Sequence, residues 1–184
     1  MEIPKGNIEI RKISRPDIGS LIEIGKQTFI ETFADKNSEE NMRIYLEEGF
    51  NKEKLLEEIN NPETIFFFVS ANNKDAGYLK LNWGQAQTEL KDTRSLEIER
   101  IYILKEFQGR GIGQILLNQA LDIARQSELD YIWLGVWEKN HQAIQFYKKN
   151  GFIEFHEHIF KLGDEEQTDI MMRLDLNERE LMLS

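Results

Sequence analysis

Gln108-Gly109-Arg110-Gly111-Ile112-Gly113 follows the apolar run Leu96 to Leu104 and opens the periodic run Ile112 to Ala124. Strand, Gly-rich turn, helix is an arrangement that offers backbone N–H groups to a phosphate. The first four N–H groups of a helix have no partner within it, and glycines let a ligand come close to them. The helix dipole adds about half a positive charge at the same end. The segment is an anion cradle. Which anion it takes, and what chemistry sits beside it, must be read from the rest of the chain.

Downstream, Tyr131 to Trp137 reads as a strand apolar on both faces and therefore central. Asn140 can cap a helix Gln142 to Asn150 that stops at Gly151, and two strands follow, Phe152 to Phe160 and Thr168 to Leu176, joined by the acidic loop Leu162 to Gln167. Upstream, Ile8 to Ile13 alternates as a strand, and Ser14, Pro16 and Asp17 start an amphipathic helix reaching Thr28. A polar stretch, Glu31 to Asn37, precedes a short helix capped by Ser38 and carrying Met42, Tyr45 and Leu46; a third helix, Lys52 to Asn60, ends before Pro62. Ile65 to Ser70 and Ala76 to Trp83 form a hairpin around Asn72-Asn73-Lys74-Asp75, and Gly84 to Thr93 reads as a loop. The cradle's own strand spans Ser95 to Leu104 and its helix Gly111 to Gln126. The order predicts an α/β (α+β) fold: a mixed, mostly antiparallel sheet of about seven strands, flanked by helices, with one parallel crossover at the cradle. The tail after Asn177 has no clear role.

The 184 residues fit a single domain spanning 1–184 with a full core. A net charge of −10 disfavours nucleic acid and anionic membrane surfaces and would favour a cationic small substrate; acidity that merely keeps the protein soluble is the plainer alternative. Cysteine is absent, which excludes disulfides, thiolate metal sites and a Cys nucleophile. Met1 to Lys5 carries no apolar signal region and no run reaches membrane-span length, so a cytoplasmic protein is expected. His141, His156 and His158 lack metal-ligand spacing, and no metal is expected.

Gln108, Gly111 and Gly113 match the Q/R-x-x-G-x-G/A signature of the GNAT superfamily of N-acetyltransferases, and Asn140-x-x-Ala143-x-x-Phe146-Tyr147-x-x-x-Gly151-Phe152 matches its second motif. A dinucleotide fingerprint fails, because Gln114 and Leu116 stand where its third glycine belongs, and no P-loop Gly-Lys-Ser/Thr is present. Thr28-Phe29-x-x-Thr32-Phe33 and Asn37-x-x-Glu40-Asn41-Met42-x-x-Tyr45-Leu46 resemble the bacterial spermine/spermidine N-acetyltransferases of that superfamily. The resemblance implies acetyl-CoA as co-substrate and a small-molecule amine as acceptor, a polyamine such as spermidine or spermine for the narrower branch.

It further implies where each group sits. The pyrophosphate would rest on the backbone of Gln108, Gly109, Arg110, Gly111, Ile112 and Gly113. The pantetheine arm would run as an added strand along Ile101, Tyr102 and Ile103, with the Ile101 N–H on the thioester carbonyl. Asn140 and Lys149 join the cofactor set, Asn140 doubling as helix cap. Phe29, Glu31, Thr32 and Phe33 would meet the acceptor. Glu97 and Glu99, two apart in a strand, share a face, and the family's general base is one or the other; an ion pair with Arg94 or Arg100 is the structural alternative. An amine of pKa near ~10 arrives protonated, so a base is needed. Tyr147 matches the general acid, or is a packed helix residue. Alternatives are another amine (a protein N-terminus, amino acid, amino sugar or antibiotic) and a non-catalytic acyl-CoA-binding module. A homodimer is compatible with the last two strands as a pairing edge.

Overall fold

The structure, a computed structural model, describes residues 6–177. What was expected of the first five residues and of the tail beyond Asn177 lies outside the described residues.

Seven strands form one sheet: β1 (Ile8–Lys12), β2 (Thr64–Ala71), β3 (Lys74–Asn82), β4 (Ser95–Ile103), β5 (Tyr131–Trp137), β6 (Ile153–Leu162) and β7 (Glu165–Asp175). Their order is β1-β2-β3-β4-β5-β7-β6. All neighbours are antiparallel except β4 and β5, the pair joined through the cradle and its helix. Five helices flank the sheet: α1 (Ile18–Phe33), α2 (Glu39–Gly49), α3 (Lys52–Asn60), α4 (Ile112–Gln126) and α5 (His141–Lys149). This is the expected mixed, mostly antiparallel architecture, with β5 internal.

Two boundaries differ from the sequence reading. Helix α1 does not stop at Thr28 but runs to Phe33 and then into a 3-10 turn, Ala34–Lys36. Phe29 and Phe33, four apart, stay on the buried face and stack at 4.5 Å, and the Thr32 hydroxyl donates to Thr28 O at 2.8 Å. Burial outweighs the polar composition of the segment, so Glu31, Thr32 and Phe33 belong to the helix. Strands β6 and β7 likewise extend through the supposed loop at 162–167, pairing as far as Leu162 with Glu165. Gly163, at φ 64, makes the left-handed turn that permits so tight a connection.

Helix α4 packs on β3, β4 and β5, burying Ile112, Leu116, Leu117, Ala120, Leu121 and Ala124 against Leu96, Ile98, Ile132 and Leu134. Helix α1 packs on β3 and α3 on β2. The β3–β4 and β4–β5 registers place Asn82, Glu97 and Trp133 together on the face opposite α4, and Trp137 follows them on β5. Two irregularities then open the sheet. Lys80 opposes Arg100 while Leu81 opposes Ile98, leaving Glu99 as an unpaired bulge in β4. Parallel pairing of β4 with β5 ends at Ile98 and Leu134, although the strands continue to Ile103 and Trp137. A bulge bends and twists its strand, so β4 leaves β5 and a wedge opens between them.

Candidate active site

A cleft of about 670 Å³ occupies that wedge. Gln108, Gly109, Gly111 and Gly113 line one end, β4 from Glu97 to Ile103 and β5 from Trp133 to Trp137 the middle. Phe29, Thr32, Phe33, Tyr45, Thr88, Glu89, His158 and Asp169 are also in the wall.

At the cradle end, Gly111 is the N-cap of α4 at φ 78 and ψ 5, with no side-chain cap, and Gly109 has φ 73. A Cβ at either glycine would meet nothing within 4 Å, so the backbone is bare toward the cleft. The first α-helical bond runs from Ile115 N to Gly111 O at 3.2 Å, leaving the earlier N–H groups for an external acceptor. These features suit a pyrophosphate. The Gln108 amide turns back to donate to Ile103 O at 3.0 Å, fastening the cradle to the end of β4. Arg110 lies over the Phe107 ring at 5.4 Å, and Ile112 gives the cradle only its backbone, its side chain being core.

Beyond Ile98 the β5-facing edge of β4 has no partner strand, so Ile101 to Ile103 line the cleft along an unpaired strand edge on which Ile103 O is taken by Gln108. Asn140 accepts from Ala143 N at 3.2 Å and also lines the cleft, combining cap and wall. Phe29, Thr32 and Phe33 are in the wall. Lys149 and Glu31 are not brought there. Lys149 is exposed in the last turn of α5, and the Glu31 carboxylate accepts from Lys105 N at 2.8 Å.

Glu97 and Glu99 do point the same way, since the Asn82 amide donates to both at 2.8 Å. Thr64 Oγ1 orients that amide by donating to Asn82 Oδ1 at 3.0 Å. Their surroundings nevertheless differ. Glu97, 3% exposed, accepts from Thr88 N at 3.0 Å and from the Thr88 hydroxyl, and among the described residues no cation pairs with it. Burial lifts its pKa above the usual carboxylate value, against the hydrogen bonds from Thr88 and Asn82. Burial also acts on Glu99, but the charges of Lys80 and Arg100 overcome it and hold that carboxyl below its ordinary value. Glu99 pairs with Lys80 Nζ, which also reaches Glu58 at 3.0 Å. Two acids indistinguishable by position are thus pushed apart electrostatically, as division of labour requires.

The anticipated partner Arg94 instead lies 3.1 Å from Asp130. Lys80 was not anticipated, because a lone Lys in a strand reads as a solvated side chain. Lys80→Met should destabilise the protein by about 3 kcal/mol in denaturant titration near neutral pH, since it removes the ammonium that pairs with both Glu99 and Glu58. Glu99 has a lowered folded-state pKa, so the stabilisation is full above about pH 4 and lost as acid titrates it. The deficit of the variant should shrink over the same range.

Tyr147, on α5, is 6% exposed and lines the cleft, with Phe146 and Phe152 packed at 5.4 and 5.7 Å. Burial raises its pKa, so the phenol is protonated at neutral pH. The loop at 84–93, featureless in sequence, is shaped by Glu63, which accepts from Gln85 N at 3.0 Å and Ala86 N at 3.2 Å. Gln87 then accepts from Trp133 Nε1 at 2.7 Å and Ser95 Oγ at 2.8 Å, which brings Thr88 to Glu97.

The acetyltransferase (GNAT) family matches residues 25–152. A spermidine N(1)-acetyltransferase of Thermoplasma acidophilum is 31% identical over 170 residues, 90% of this chain and 96% of that protein. An uncharacterized N-acetyltransferase of Lactobacillus delbrueckii subsp. lactis is 42% identical over 166 residues, again 90% and 96%. The crystal structure of the PaiA N-acetyltransferase of Thermoplasma acidophilum in complex with coenzyme A superposes with a TM-score of 0.76 at 29% identity, covering 92% of this chain and 99% of that one. Bare cradle, opened wedge, paired carboxylates and buried phenol therefore stand in a known context: the chain belongs to the acetyltransferase (GNAT) family and is an acetyl-CoA-dependent N-acetyltransferase.

Proposed function

We propose that the acceptor is a primary amine of a small polycation such as spermidine, acetylated by direct transfer with Glu97 as base and Tyr147 as acid. What carries this is the cleft itself, with Glu97 and Tyr147 both in the wall of the opened β4–β5 wedge and Glu89, Glu99 and Asp169 lining it as further carboxylates. The 31% identical spermidine acetyltransferase and the coenzyme A held by the structural neighbour support the same assignment. So does a net charge of −10, which attracts cations. The enzyme would act as a single domain, in the cytoplasm.

Acetyl-CoA supplies the activated acetyl group. The backbone of residues 109–113 would hold its pyrophosphate, and the free edge at Ile101 to Ile103 its arm, with the Ile101 N–H polarising the carbonyl. An ammonium cannot attack until it loses a proton, and Glu97 takes it. A raised carboxyl pKa narrows the gap to the amine and makes the transfer less uphill. Glu99, held ionised by Lys80, keeps negative charge beside the incoming cation. Tyr147 gives a proton to the departing sulfur. The burial that raises the phenol's pKa penalises a thiolate in the same place alike, so the donor remains matched to its acceptor. With no cysteine in the chain, a thiol-linked acyl-enzyme is excluded, which favours direct attack.

Thiol release from acetyl-CoA, followed with spermidine and with a panel of amino acids, amino sugars and peptide N-termini, tests the acceptor. Saturable turnover of spermidine with the highest kcat/KM of the panel is expected. Turnover confined to another class would overturn the polyamine assignment.

A further inference from the structure

Asp169 has no role in the chemistry above, yet it is placed as a binding group. It lies on β7 opposite Trp137 of β5 and forms part of the cleft wall. Its carboxylate leans over Gly135: a Cβ added to that glycine would meet Asp169 Oδ2 at 3.4 Å. Gly135 presents no side chain, so the floor of the cleft is open between Trp133 and Trp137, and the carboxylate overlooks the gap. Among the described residues nothing donates a hydrogen bond to it and no cation pairs with it. His158, opposite it on β6, lies with Nε2 3.0 Å from Glu89 Oε1.

Asp169 is half-buried, and carboxylates partly withdrawn from water ordinarily have partners; burial holds its pKa up, at about 6, against the opposing charge of His158. A closed protein interior supplies such a partner itself; here a donor must arrive with whatever enters the cleft.

The geometry specifies the chemistry. Trp133, next to Glu97 in the β4–β5 register, and Gly135, beneath Asp169, are two residues apart, about 7 Å along the strand. With a strand spacing of about 5 Å, Glu97 and Gly135 stand roughly 8 Å apart on one face, and Asp169, reaching in from β7 on the far side of β5, puts its carboxylate on the order of 10 Å from Glu97. Two ammonium groups joined by a short methylene spacer, each about 2.8 Å from its carboxylate, bridge that span. The intervening walls are aromatic: Phe29 stacks on Tyr45 at 4.1 Å, and Phe33 meets Trp137 at 4.9 Å. Such faces accept methylenes and favour cations.

We propose that Asp169 anchors the second, non-reacting ammonium of a diamine or polyamine, and so sets the preference for polycations over monoamines. This rests on the acetyl-transfer reading given above. The enzyme is assayed with spermidine, with 1,4-diaminobutane, and with n-pentylamine, which replaces one ammonium by a methyl group. In Asp169→Asn the KM for both polycations should rise about tenfold or more, the scale of one lost charged hydrogen bond, while kcat/KM for n-pentylamine stays at the wild-type value. Asp169→Ala should give the same selective loss. Asn keeps the side-chain shape and removes an unpaired charge, so the melting temperature should not fall. An equal loss for mono- and polycations, or unchanged polycation kinetics in a wild-type enzyme that does use spermidine, overturns the Asp169 assignment alone. A wild-type enzyme that acetylates n-pentylamine but neither polycation overturns the polyamine reading and the anchor together.

Discussion

Tyr147→Phe should lower kcat about 10²- to 10⁴-fold, the range for loss of a positioned proton donor, while the affinity for acetyl-CoA is unchanged. The ring of Tyr147 packs between Phe146 and Phe152, and Phe preserves those contacts. The hydroxyl makes no hydrogen bond to another described side chain, so its removal leaves no partner unsatisfied within the fold. A structural role would show as a lower melting temperature with kcat and coenzyme A affinity falling together. A catalytic role confines the change to kcat. Isothermal titration with coenzyme A alongside steady-state kinetics separates the two outcomes, and wild-type turnover in the variant would remove Tyr147 from the mechanism.

Most of the fold was legible in the chain because its strong signals are local. Alternating and continuous apolar runs, the Gly-rich turn and the Asn and Ser caps each act within a few residues, and each predicted element is present. The boundaries that moved did so for tertiary reasons. Phe33 extends α1 because Phe29 and Trp137 give it a buried partner on either side, something no window around Glu31 to Asn37 reveals. The splaying that admits an added strand is implied by the family resemblance, but its cause was out of reach, since a bulge at Glu99 depends on how β3 registers against β4.

At the site, legibility stopped at the residues that carry motifs. Glu97, Glu99 and Tyr147 could be named, but the choice between the acids could not, because it lies in groups far off in sequence. Lys80 sits on β3, Glu58 on α3, and Thr88 in a loop whose shape depends on Glu63. Asp169 was invisible for the same reason. In the sequence it is one acid in an acidic segment, and only the pairing of β7 with β5 brings it over Gly135.

The second large effect expected is at Glu97, and it separates the two acids by sign as well as by size. Glu97→Gln should lower kcat about 10²- to 10⁴-fold. In the wild type, kcat/KM should climb with pH through the raised pKa of Glu97, and that acidic limb should vanish in the variant. Stability should move the other way. A folded-state pKa above the unfolded one means that the protonated form is favoured by folding, a contribution complete below the unfolded value and lost as pH rises through the folded value. Ionised Glu97 at pH 7 is therefore a burden on the fold, and Gln, still able to accept from Asn82, lifts it. Glu97→Gln should melt at or above the wild-type temperature at pH 7. Glu99→Gln should do the reverse: its folded-state pKa is lowered, so the charged form stabilises above the unfolded value, and neutralising it leaves Lys80 with Glu58 alone. That variant should melt lower while keeping the acidic limb. If the limb disappears in Glu99→Gln and persists in Glu97→Gln, the base is Glu99, and the carboxylate paired with Lys80 is the one that takes the proton.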